Sequence, residues 1–212
     1  YRRLDHNIHK AEDFVNYTVF SLWDTYRNVH QLMTLVYPER QMDMIHTMMG
    51  MYKEHGWFPK WELFGQETLT MEGDPAIPVL VDSWMKGLQD FDINLAYKAM
   101  YKSATTPGKD NLMRPDNDDY MAKGYVPMES QFDNSVSHAL EYYVADHALS
   151  TLAEALDKCK GRVLINIDKG INYYDQILEM LAERNMVDQV IIKSSKSAEA
   201  MKQFFSKHDK NM

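Results

Sequence analysis

The chain has 212 residues, of which 45% are hydrophobic and 25% charged, a balance ordinary for a globular protein. Its formal net charge of −8 argues against a nucleic-acid backbone as partner, because phosphate binding needs a basic face. The single cysteine, Cys159, excludes an internal disulfide and a cysteine-based zinc site, and no apolar run reaches the roughly 18 residues that suggest a membrane-spanning helix. Arg2 and Arg3 are followed by no apolar core segment, so no signal peptide is expected at this start.

Residues 1–23 read as an extended or looped lead-in, where β-branched and aromatic residues alternate around Thr18, Phe20 and Leu22. Asp24 is placed to cap a first helix running to about residue 37, with Val29, Leu32, Met33 and Val36 at helical spacing. Pro38 stops it. A second helix is expected over 38–55, with Met42, Ile45, Met48, Met49 and Tyr52 as its apolar stripe and Gly56 just beyond its end. The chain has 16 methionines. Met42, Met44, Met48, Met49 and Met51 crowd this helix, either as a plastic binding surface or as filling for an irregular core.

Residues 57–74 have no period and are rich in Trp, Glu, Gly and Thr; a loop of that length is usually functional. Helices follow over 76–87, with Val79, Leu80, Ser83 and Trp84 inward, and over 93–104, with Leu95, Ala96, Ala99 and Met100 inward. A second long loop, 105–130, carries Pro107, Gly108, Pro115, Gly124 and Pro127. A fifth helix is expected over 133–157, through Val136, Ala139, Leu140, Tyr143, Val144, His147 and Leu152. Helices joined by alternating short and long connections predict stacked αα-hairpins with the long loops on one face.

Near residue 150 the pattern changes, so two pieces are assigned, 1–150 and 151–212. Residues 163–167 form a continuous apolar strand, 172–184 a helix, 187–193 a second strand and 197–208 a helix. This β-α-β-α order belongs in a parallel sheet or barrel. Two strands do not close an eight-stranded barrel.

Four constellations could carry chemistry. Trp23, Asp24 and Arg27 pair an aromatic face with a carboxylate, as sugar recognition requires; they could equally be a cap, a core ring and a surface pair. The 57–72 segment offers Trp57, Lys60, Trp61, Glu62, Glu67 and Glu72, the carboxylates and aromatics that glycoside hydrolysis uses. Asp116, Asn117, Asp118 and Asp119 are oxygen-rich, but the calcium-loop pattern fails there and a solvated turn is the better reading. His6/His9 and His138/His147 lack zinc spacing. Asn166, Asp168 and Lys169 end a buried strand, with Lys193 ending the next; a lysine there could hold a phosphate or cap the strand.

YTVFSLWDTYR at 17–27, the stretch YPERQMDMIHTMMGMYKEHGWFPKWELFGQET, then MEGDPAIPVLVDSWMKG, GYVPM and SVSHALEYY resemble glycoside hydrolase family 92 over about residues 1–150. The resemblance implies a mainly α fold, part of an (α/α)6 toroid. It further implies a bacterial, calcium-dependent, inverting exo-α-mannosidase acting on terminal α-mannose of N-glycans or mannans, in a periplasmic or extracellular setting. Trp23, Asp24 and Arg27 would line the mannose pocket, with Lys60, Trp61 and Glu62 on the same face. The family's general-acid and general-base segments have no match here, so the chain is expected to bind mannose-terminated glycans without cleaving them, its calcium ligands unidentified. The tail, through LINIDKG and VDQVIIK, resembles part of a glycerophosphodiester phosphodiesterase barrel, with Lys169 at that family's site lysine. A phosphodiesterase remnant and a non-enzymatic fusion product are the alternatives.

Overall fold

The computed structural model describes residue 1, residues 4–129 and 134–159, and two short strands at 165–167 and 190–192. The chain divides into two compact units, Tyr1–Ala153 and Glu154–Met212. In the second, β4 (Ile165–Ile167) and β5 (Val190–Ile192) pair in parallel, Ile165 opposite Val190. A parallel pair needs a connection of a dozen or more residues, and residues 168–189 separate the two strands in sequence. The helices expected over 172–184 and 197–208, together with Asp168, Lys169 and Lys193, lie outside the described residues.

The first unit is mainly helical. It runs β1 (Phe20–Ser21), α1 (Leu22–Thr25), α2 (Val29–Val36), α3 (Pro38–His55), β2 (Trp61–Leu63), β3 (Gln66–Glu67), α4 (Ala76–Met85), α5 (Ile93–Thr105), a 3-10 turn (Gly108–Asp110), α6 (Asn117–Lys123) and α7 (Ser135–Cys159) as far as Ala153. Helices α2, α3 and α4 pack on one another, α4 on α5, and α5 on α6. Ile45, Met48, Ile77, Leu80 and Met100, drawn from α3, α4 and α5, are fully buried, each contributing roughly 1.5–3 kcal/mol by leaving water. Met48, Met49 and Met51 are core, whereas Met42 and Met44 are half-buried.

Helix α3 has the bounds its punctuation predicts: Pro38 opens it, and Gly56 closes it in the left-handed region at φ 81°. Helix α5 starts where Asp92 accepts hydrogen bonds from the backbone N–H groups of Asn94 and Leu95. The first helix departs from expectation. Asp24 caps nothing: it lies inside α1, and α2 begins only after Asn28. The Gln31 side chain donates to the Tyr26 carbonyl at 2.7 Å, stabilising the break between the two helices.

The supposed loop at 57–74 contains a hairpin. β1 pairs with β2 and β2 with β3, both antiparallel, placing Glu62 opposite Glu67. The two turn residues, Phe64 and Gly65, both have positive φ, 54° and 73°, as a tight primed turn requires. Strands this short show no readable alternation. The second long loop is likewise broken by the 3-10 turn and α6.

Polar side chains help tie the helices. Gln41 donates to Ser83 Oγ at 3.1 Å, and its Oε1 lies 3.0 Å from His30 Nδ1. His30 Nε2 in turn meets Thr25 Oγ1 at 3.0 Å. This buried chain joins α4, α3, α2 and α1. It also reverses the expected faces of α2, where His30 is buried while Val29, Leu32 and Val36 are exposed. Helix α7 shows a similar rotation. Its buried stripe is His138, Ala139, Tyr142, Ala145, Leu149 and Leu152, with Val136, Leu140, Tyr143 and Val144 exposed. The helix carries apolar residues on more than one face, so periodicity alone does not choose between stripes.

Candidate functional site

The hairpin organises the site. Glu62 is buried, and its carboxylate accepts from Val19 N–H and Gly65 N–H, both at 2.8 Å, and from the Thr18 hydroxyl at 3.0 and 3.1 Å. Glu67 accepts from the backbone N–H groups of Lys60, Trp61 and Leu69 at 2.8–3.0 Å. Both carboxylates thereby satisfy donors that a short hairpin would otherwise leave unpaired. Neither buried Glu62 nor half-buried Trp61 is among the residues lining the cleft beside Lys60.

Lys60 precedes β2. Its carbonyl accepts from Leu22 N–H at 3.2 Å, tying it to the residue before Trp23. Its side chain is only 2% exposed, and the ammonium donates to the Met113 carbonyl at 3.0 Å. Burial pushes the Lys60 pKa below the usual lysine value, against the opposing charges of Asp74, Glu67 and Asp116.

Lys60 helps line a cleft of about 580 Å³ together with Glu72, Asn111 and His138, within the range of roughly 300–1,000 Å³ common to ligand sites. Leu69 and Met71, also in its wall, hold φ at 55° and 65°, a conformation that costs a non-glycine residue on the order of 1 kcal/mol. Such strain gathers at ligand clamps. Gly108 lines the cleft because nothing larger fits: a Cβ there would run into the Pro115 carbonyl.

A charged network lies behind this wall. Arg114 is fully buried. Its Nη1 donates to Asp146 Oδ1 at 2.8 Å, and its Nε lies 3.5 Å from Asp74 Oδ2. Ser103 donates a short hydrogen bond to that same Asp74 oxygen. Tyr120 donates to Asp146 Oδ2 at 2.9 Å and Tyr142 to Asp116 Oδ1 at 2.6 Å. His138 Nδ1 is 3.3 Å from both Tyr142 Oη and Asp116 Oδ2. Burial works against the Arg114 charge, but Asp74 and Asp146 more than offset it and raise its pKa. Burial also lowers the His138 pKa, with Asp116 opposing, which favours the neutral imidazole. Arg114 Nη2 and Asn117 Oδ1 are buried without a hydrogen-bond partner, and such groups call for an explanation.

Of the residues singled out from sequence, Trp23 and Asp24 lie on α1 and Arg27 just after it. The Arg27 guanidinium sits 4.5 Å from the Trp23 ring centre and 4.7 Å from that of Tyr26. It donates to Glu141 Oε1 at 2.7 Å while Tyr26 donates to Glu141 Oε2 at 2.6 Å. Burial, then the Glu141 bond, push the Tyr26 pKa up to about 12. The Trp23 indole nitrogen is buried without a partner, and Asp24 is exposed. This group abuts the Glu72 segment, because a Cβ on Gly73 would sit 2.5 Å from Glu141 Cβ.

The run 116–119 is not a solvated turn. Asp116 and Asn117 are buried at the start of α6, Asp118 accepts from Gly108 N–H at 3.0 Å, and Asp119 pairs with Lys123 at 2.8 Å. Sequence reasoning missed Arg114, Asp74 and Tyr142 altogether. The available signal was Arg114 and Asp116 flanking Pro115 within an aperiodic stretch.

A mainly helical unit with a cleft lined by Lys60, Glu72, Asn111 and His138 beside apolar Leu69, Met71 and Leu112 can hold a small polar ligand, and the comparisons with known proteins narrow the class. The family profile of the glycosyl hydrolase family 92 catalytic domain matches residues 1–201. The chain belongs to that family. It is similar to the family GH92 α-mannosidase BT3965 from Bacteroides thetaiotaomicron, with 40% identity and a TM-score of 0.67 over 74% of this chain and 21% of that one. The same mannosidase in complex with mannoimidazole gives 40% identity and a TM-score of 0.67, over 74% of this chain and 20% of that one. The family GH92 inverting mannosidase BT2199 from Bacteroides thetaiotaomicron VPI-5482 gives 33% identity and 0.64, over 73% and 21%. This chain thus spans about a fifth of the solved relatives. A search of curated proteins finds no match. The phosphodiesterase resemblance expected of the tail is not shown; the family 92 match runs through residue 201.

The calcium that the family resemblance implies needs six to eight oxygen ligands. Among the described residues, the grouping with metal-ligand spacing is Asp5, His9 and Glu54, which offers one nitrogen. The 116–119 run leaves Asp116 Oδ2 and Asn117 Oδ1 without hydrogen-bond partners, too few oxygens for a calcium shell. The described residues therefore do not fit calcium.

Proposed function

We propose that this chain supplies part of the mannose-recognising wall of a family 92 α-mannosidase and binds terminal α-mannose of N-glycans or mannans. The observation that carries the reading is the cleft of about 580 Å³ in which buried Lys60, Glu72 and His138 converge. A sugar presents hydroxyls that both donate and accept. Lys60 donates, Glu72 accepts, and a neutral His138 does either according to its tautomer. Trp23, Asp24 and Arg27 extend this surface, the half-exposed Arg27 guanidinium supplying further donors. The mannoimidazole complex of the similar mannosidase BT3965 supports mannose as the sugar.

Inverting hydrolysis needs a general acid and a general base about 6.5–9.5 Å apart, one on each face of the sugar. The described cleft wall carries one carboxylate, Glu72. Asp74 and Asp116 lie among the Arg114, Ser103, Tyr142 and His138 contacts. The 212-residue chain therefore binds mannosides without turning them over; in this proposal inverting, calcium-dependent cleavage belongs to the complete enzyme.

Two assays on the purified chain test this. Mannose should raise the melting temperature, since a ligand that binds the native state stabilises it, and glucose should raise it less. Mannoside substrates should release no free mannose. Equal, negligible shifts with both sugars would refute the binding site, and mannose release abolished by Glu72→Gln would refute the loss of turnover.

A further inference from the structure

Away from the cleft, Asp5, His9 and Glu54 bring two carboxylates and an imidazole together, with ligand atoms all within 4.8 Å of one another. His9 Nε2 is 2.9 and 3.0 Å from the two Asp5 oxygens and 3.7 Å from Glu54 Oε1. An ion bound by nitrogen and oxygen at about 2.0–2.2 Å in tetrahedral geometry needs ligand atoms roughly 3.3–3.5 Å apart. The two measured contacts reach that spacing through side-chain adjustments of a few tenths of an ångström, and the Asp5 and Glu54 oxygens lie within 4.8 Å of one another.

The surroundings hold these donors. Asn7 donates its backbone N–H and its side-chain amide to the two Asp5 oxygens at 3.0 and 3.1 Å, the outer-shell support that orients a metal-binding carboxylate. His9 N–H donates to the Tyr1 carbonyl at 2.8 Å, and the two rings stack with centroids 5.7 Å apart. Glu54 sits in the last turn of α3, where the negative end of the helix dipole favours a cation. All three residues are half-buried, so an ion has a path from solvent.

The geometry points to a divalent transition-metal site of the zinc class, ligated by His9 Nε2, Asp5 and Glu54, with water completing the shell. One imidazole and two carboxylates suit zinc or its neighbours in the first transition row, whereas calcium prefers all-oxygen shells. None of the three residues lines the sugar cleft. The competing account is a protonated His9 bridging two carboxylates, with no metal.

The test is isothermal titration of the 212-residue chain with zinc chloride and, separately, calcium chloride, alongside Asp5→Asn, His9→Gln and Glu54→Gln variants checked for native circular dichroism. Zinc should bind one site, roughly tenfold or more weaker in each folded variant, with no such site for calcium. Cobalt titration of the unaltered chain needs no variant: it should give the intense visible bands of four-coordinate cobalt, bleached by one equivalent of zinc. Unchanged zinc affinity in His9→Gln, calcium competing equally for the site, or a weak six-coordinate cobalt spectrum would each overturn the proposal. Proton-dependent pairing without zinc uptake would do the same.

Discussion

Arg27 and Arg114 both pair with carboxylates, and the difference between them separates what holds this unit together from what it presents to a ligand. Arg27 is 44% exposed and bonded to Glu141 at 2.7 Å. Arg114 is fully buried between Asp74 and Asp146. An exposed pair contributes about 0–1 kcal/mol, because water and salt screen it. Removing one partner of a buried pair costs about 3–5 kcal/mol, because the charge left behind has no solvent. The buried arginine is structural framework behind the cleft, while the exposed one, stacked on Trp23 and Tyr26, is the one proposed for recognition.

The largest expected effect therefore follows Arg114→Met, which keeps side-chain length and removes the charge. Denaturant unfolding should show a loss of about 3–5 kcal/mol. A loss under about 1 kcal/mol would place Arg114 with the surface pairs. Next comes Gly73→Ala, which puts a Cβ against Glu141 at a backbone φ of 81°. Overpacking of this kind costs about 1–3 kcal/mol, and the variant should also disturb the Glu141 bonds to Tyr26 and Arg27. An unchanged melting temperature would show that this close approach is not maintained.

A pH scan sharpens the contrast. His30 and His138 are both lowered from the usual 6.5, chiefly by burial. Each binds a proton more readily unfolded than folded. Their contribution is complete above the unfolded value and is lost as pH falls through 6.5 toward the folded values. Stability should decline over that window, and less so in His30→Gln, which stays neutral throughout. The smallest stability effect belongs to Arg27→Ala, about 0–1 kcal/mol, yet it should weaken mannose binding clearly. A large stability loss with unaltered binding would reverse the roles of the two arginines.

The same contrast explains what the sequence made legible. Helix α3 could be bounded in advance because Pro38 and Gly56 act locally, and α5 was placed from its apolar spacing. Tertiary partners decided the rest. Asp24 satisfies the preferences of an N-cap, but the Gln31 bond to Tyr26 moves the helix start to Val29. The β2–β3 hairpin is too short for a visible period, and Glu62 and Glu67, read as candidate sugar contacts or catalytic groups, bond to its backbone. Asp116 reads as solvated until Tyr142, from a distant helix, covers it. Trp23, Arg27 and Lys60 enter as candidates because aromatic–charge pairings are visible in one dimension, and of the three only Lys60 lines the cleft. Arg114 with Asp74 could not, because nothing local marks two residues that meet only after folding.

The most direct test of the central claim is a nuclear magnetic resonance titration of the 212-residue chain with methyl α-mannoside. The ring resonances of His138 and the indole N–H of Trp23 should shift in a saturable manner, with the response lost in Glu72→Gln. If both stay fixed while the chain remains folded, the cleft behind Lys60 is not a sugar site and the account is contradicted.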